Sequence, residues 1–206
     1  MDNPVWVFMG KVADLIILNV LFTICSIPIV TLGASWTALY YVTIRMVRKE
    51  EGYITKDFFH SFKENFKQAT LIWLIYLGIF AVFGLDYLIY KVMPDMVPKA
   101  LIVVILAVAI VICIMMMYTF PLLSRFQNST KNTMKNALLL SVLHIPHTIA
   151  LAFLLLMPVA LELISFRLIP LVVFMGVSFP AYISSFIWKS MFKKLEPPEE
   201  EELVTE

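Results

Sequence analysis

Apolar positions along this chain fall in long unbroken runs rather than at the spacing of a half-buried helix or strand. Residues 100–120, ALIVVILAVAIVICIMMMYTF, carry no formal charge. A hydrocarbon core about 30 Å thick takes roughly 20 mostly apolar residues per helix. Stretches beginning near Val12, Ala69, Ala100, Ala137 and Leu168 meet that requirement. The pattern predicts an all-α fold, a polytopic transmembrane helical bundle in residues 1–195 as a single domain.

Residues 5–47 are too long an apolar run for one perpendicular helix, and Pro28 and Gly33 interrupt it. Proline lacks a backbone donor and glycine is free in dihedral space, so a break is expected between them. The turn residues Pro28, Thr31, Gly33 and Ala34 then join two arms of a helical hairpin. The second arm, Ala34 to Arg48, is about 22 Å long at 1.5 Å per residue, short for a full crossing unless Arg45 and Arg48 snorkel. The arm is expected to cross, which gives six spans; a re-entrant arm that does not fully cross gives five.

Charge orients the bundle. Six spans put residues 1–11, 45–68, 122–136 and 189–206 on one side, with 13 of the 16 Lys and Arg; Lys91, Lys99 and Arg167 lie opposite. Positive loops stay cytoplasmic, so the C-terminus is expected inside. Five spans would move Lys11 across and give 12 against 4, so the rule barely discriminates the side of the N-terminus. Lys-x-Ala-x-Leu recurs at Lys11, Lys67 and Lys135, each time where an apolar span begins. Either an internal duplication or basic residues marking cytoplasmic helix ends accounts for it.

The composition, 61% hydrophobic with mean hydropathy +0.87 and 15% charged, fits a membrane protein and not a water-soluble globule. A net charge of +1 gives no sign of a nucleic-acid partner. Cys25 and Cys113 fall inside apolar spans, where they act as small hydrophobes. MDNPVWVFMGK at the start lacks the basic region and cleavage site of a signal peptide. The acidic tail, residues 196–206, starts with two prolines and is expected to be disordered.

Two groups of residues stand out. In Thr55–Gln68, Phe58, Phe59, Phe62 and Phe66 recur at helical spacing, opposite charged positions that include Lys63 and Lys67. An amphipathic helix lying along the cytoplasmic interface is expected, either as a membrane anchor or as a docking surface for a cytoplasmic partner. The other group is intramembrane: Asn19 lies mid-span, and His144 and His147 share a helix face beside Pro146. Neutral histidines bonded within the bundle, or a polar cavity serving transport or gating, are the readings for the pair. Asn19 reads first as interhelical glue. Too few ligands converge for a metal, and no carboxylate pair or Ser/His set indicates an enzyme. No catalytic residue and no cofactor is expected.

Asn19, Pro28-Ile29-Val30-Thr31-Leu32-Gly33-Ala34, Ala38, Asp57-Phe58-Phe59, Arg125-Phe126 and Lys131 to Ala137 together resemble the YesL family. That resemblance covers about residues 5–195, and Pro-x-x-Thr-x-Gly-Ala is its most specific part. It implies a multi-pass protein of the bacterial cell membrane with unassigned activity, typically encoded near carbohydrate-uptake ABC transporters. The function expected is therefore an accessory or assembly partner of a carbohydrate ABC transport system. An autonomous small transporter or channel with a polar path past Asn19, His144 and His147 is the alternative. Partners are the lipid bilayer and the transporter, with no nucleic acid; a homo-oligomer is left open.

Overall fold

The computed structural model describes residues 4–50, 52–93, 98–164 and 176–195. The acidic tail and Arg167 lie outside these, as does the start of the last expected span. Among the described residues the chain is entirely helical: α1 (Pro4–Ser26), a 3-10 turn (Ile29–Thr31), α2 (Leu32–Arg48), α3 (Ile54–Val92), α4 (Lys99–Arg125), α5 (Thr130–Leu143), α6 (Ile145–Ile164) and α7 (Ser178–Leu195).

Three of these helices, α1, α3 and α4, are long and apolar enough to cross a membrane. A fourth crossing is available only if α5 and α6, bent by 104° at their junction, count as one broken span. The protein is thus a helical membrane protein with three to four candidate spans among the described residues. The span expected from Ala137 is interrupted. Pro146 cannot continue the hydrogen-bond ladder back to Val142, and His144 leaves helical geometry at φ −120°, ψ 50°.

The hub of the fold is α2. Every residue from Thr31 to Arg48 is buried or half-buried, as expected of a helix packed on all sides. It packs most extensively on α3 and α7, and also on α4 and α1. Its polar side chains survive burial by bonding backward along the helix: Ser35 to the Thr31 carbonyl at 3.2 Å, Thr37 to that of Gly33 at 3.0 Å, Thr43 to that of Leu39 at 3.0 Å. Hydroxyl pairs then tie neighbouring helices together. Ser185 reaches Thr43 at 2.8 Å, Tyr76 meets Thr119 at 2.8 Å, and Tyr118 meets Thr148 at 2.7 Å.

An aromatic core surrounds this hub. Trp188 of α7 is fully buried, with its ring centroid 5.0 Å from that of Tyr118 and 6.4 Å from that of Tyr40. The far halves of α3 and α4 contrast with it. None of the most apolar window of α4 is buried, and Val82, Leu85, Val103, Val104 and Leu106 are exposed. The molecule has two parts, a packed base and a projecting apolar α3–α4 hairpin.

Candidate functional site

Pro28 opens the hairpin turn in an extended conformation, and the Thr31 hydroxyl lies 2.6 Å from the Cys25 carbonyl oxygen and 2.8 Å from that of Pro28. The Cys25 carbonyl is one of those left over as α1 ends. Trp73 of α3 donates its indole N–H to the Ile29 carbonyl at 2.7 Å. A Cβ on Gly33 would fall 2.5 Å from the Ala69 carbonyl oxygen and 2.7 Å from the Trp73 Cβ, so only glycine allows this approach. Ala34 is fully buried. All four turn residues have a structural role, and they hold the start of α2 against Ala69 and Trp73.

Register follows from these contacts. Arg45, near the other end of α2, bonds Asp57 at 3.0 Å. The helix therefore lies beside the first half of α3, where Lys63, Glu64 and Lys67 are exposed, and its turn reaches only the start of the apolar half.

Around Arg45 is a cluster that sequence reasoning missed. Its guanidinium bonds Glu50 and Asp57, each at 3.0 Å, and lies 5.6 Å from the centre of the Tyr41 ring; Arg125 of α4 reaches Glu50 at 3.8 Å. Partial burial opposes the charge on Arg45, but Asp57, Tyr41 and Glu50 outweigh it and raise its pKa above the ordinary guanidinium value. A Cβ at Gly52 would collide with the Asp57 carboxylate. The sequence signals were the acidic first turn of α3, which suits a helix N-terminus, and the basic last turn of α2. Nothing in either signal said the two would meet.

Nearby, Gln68 donates to the Asn128 carbonyl at 2.7 Å and Gln127 to Glu64 at 3.1 Å. A polar cavity of about 470 Å³ lies between them, lined by Glu64, Asn65, Gln68, Gln127 and Ser129. Lys189 of α7 donates to the Val47 carbonyl at 3.3 Å. Parts of three of the segments expected to share the basic side, 45–68, 122–136 and the start of 189–206, thus meet at one end of the molecule.

The phenylalanine helix departs from expectation. It is no separate interfacial element but the first half of the continuous 39-residue α3. Phe58 is fully buried, its ring 5.7 Å from that of Phe59 and 6.2 Å from that of Phe62. Phe62 is half-buried against the core, while Phe59, Lys63, Phe66 and Lys67 are exposed. A stripe read as one uniform face is divided because α2 covers one side of it.

The intramembrane polar residues take separate partners. Asn19 is 1% exposed, and its side-chain oxygen accepts the Ser178 N–H at 3.0 Å and the Val177 N–H at 3.2 Å. It caps α7 from α1, which fits the reading as interhelical glue. His144 and His147 stack edge to face 5.7 Å apart, and the His144 Nδ1 lies 3.3 Å from the Leu140 carbonyl oxygen. Thr148 spans the helix break, donating to the Ser141 and His144 carbonyls at 3.0 and 3.2 Å. Among the described residues, no three His, Cys, Asp or Glu side chains converge as a metal site.

Residues 15–87 match the model of a family described as "Protein of unknown function, DUF624". The match runs from within α1 through the turn and α2 to near the far end of α3. No curated protein and no solved structure matches the chain.

Proposed function

We propose that this protein is a non-enzymatic accessory or assembly partner of a membrane transport system, of the carbohydrate ABC class that the YesL resemblance implies, in the bacterial cell membrane. The supporting observation is the exposed face of Phe59, Lys63, Phe66 and Lys67 on a helix whose opposite face is locked into the base by Phe58 and Ala69. A rigid helix presenting two rings and two ammonium groups suits a groove on a cytoplasmic partner. An autonomous transporter is less well supported, because Asn19 is engaged in capping α7 and the histidines pair with each other.

In this reading α3 and α4 cross the bilayer, the base carries the cytoplasmic charges, and α1, although long and apolar enough to cross, enters only as far as its turn. The turn at Pro28 enters the membrane only to the level of Trp73, a re-entrant arm in place of a full crossing. The test is a mild-detergent pull-down from native membranes, comparing the wild type with a Phe59/Lys63/Phe66/Lys67→Ala variant that keeps Phe58 and Phe62. Recovery of a transporter subunit with the wild type, and its loss with the variant, supports the proposal. A partnerless protein in both samples sinks it.

A further inference from the structure

A cleft of about 360 Å³ opens between α3 and α4 at the end remote from the base, lined by residues that include Phe83, Asp86, Tyr87, Tyr90, Ile105 and Leu106. That is the lower end of the size range of small-molecule pockets. All of the lining is uncharged except Asp86, which is half-buried and takes part in no ion pair among the described residues. Asp86 lies 17 residues past Ala69, about 26 Å along the helix, close to the far edge of a hydrocarbon core about 30 Å thick. A half-buried carboxylate beside an otherwise apolar cleft favours a cation whose apolar body lies in the cleft. Three aromatic rings beside it can add to the attraction, because ring faces are negative.

We propose that this cleft binds a lipophilic organic cation, a protonated amine or quaternary ammonium ion on an apolar body, reaching it sideways from the bilayer. The carboxylate of Asp86 and the rings of Phe83, Tyr87 and Tyr90 take the charged group, while Ile105, Leu106 and the neighbouring α4 side chains take the apolar body. An anionic ligand is repelled by Asp86, and a strongly hydrated one finds only the two phenol hydroxyls of Tyr87 and Tyr90 as side-chain donors.

The test uses the full chain in lipid nanodiscs with radiolabelled benzyltrimethylammonium as probe, and neopentylbenzene, its neutral carbon isostere, as competitor. Saturable binding above that of empty nanodiscs is expected, about tenfold weaker in Asp86→Asn and not displaced by neopentylbenzene. A Phe83→Leu/Tyr90→Leu variant, which keeps the carboxylate, is expected to bind about threefold more weakly, so the reading does not depend on Asp86→Asn folding. Binding no greater than in empty nanodiscs, equal binding by the variants, or displacement by neopentylbenzene would overturn it.

Discussion

At the scale of single residues, Asn19 and Gly33 each carry a contact between distant parts of the chain. Asn19 satisfies two N–H groups at the start of α7, more than 150 residues away. Asn19→Ala is expected to lose about 1–2 kcal/mol of stability, the usual worth of a helix cap; denaturant unfolding in micelles would measure it, and an unchanged midpoint would contradict capping. Gly33→Ala must push the Ala69 carbonyl and Trp73 apart and is expected to cost about 1–3 kcal/mol. Gly78→Ala, where a Cβ meets nothing within 4 Å, should instead be neutral or stabilising by up to about 1 kcal/mol. The turn was legible in the sequence because proline and glycine each have a local chemistry that calls for a break, whereas the bonds of Thr31 were not. Asn19 was legible as polar and mid-span, but its partner was not, since Val177 and Ser178 offer only backbone.

At the scale of elements, apolar run length predicted where helices lie better than what covers them. Lipid and protein are equally apolar neighbours, so α2 read the same whether it crossed the membrane or was enclosed by other helices. The same limit applied to the phenylalanine stripe, where helical spacing gave a face but not the neighbour that buries part of it. Phe58→Ala is expected to cost about 3–5 kcal/mol as a core truncation, whereas Phe59→Ala, whose ring is half outside, should cost under about 1 kcal/mol. Comparison of the two by thermal unfolding in detergent checks the division; equal losses would contradict it. The break at His144 was legible through Pro146, but a proline announces a kink and not its 104° angle.

At the scale of the molecule, a base built around α2 carries basic helix ends, and the apolar α3–α4 hairpin projects from it; the proposed topology puts that hairpin in lipid. Arg45, Asp57 and Glu50 lock α2 to the start of α3 at one end, and Trp73 holds the Ile29 carbonyl at the other. Together these contacts set the register of α2 against α3, and in the proposed topology the depth of the N-terminal hairpin, which no charge count along the sequence could fix. That depth is what the account most depends on. It is tested by single cysteines at Ile29, Lys67 and Met93 in a Cys25→Ala/Cys113→Ala background, labelled in intact cells with a membrane-impermeant maleimide. Met93→Cys is expected to label from outside, Lys67→Cys only after the membrane is opened, and Ile29→Cys, although its side chain is 64% exposed in the protein, not from outside. Labelling of Ile29→Cys in intact cells to the extent of Met93→Cys would contradict the account, placing the turn across the bilayer and α2 among the spans.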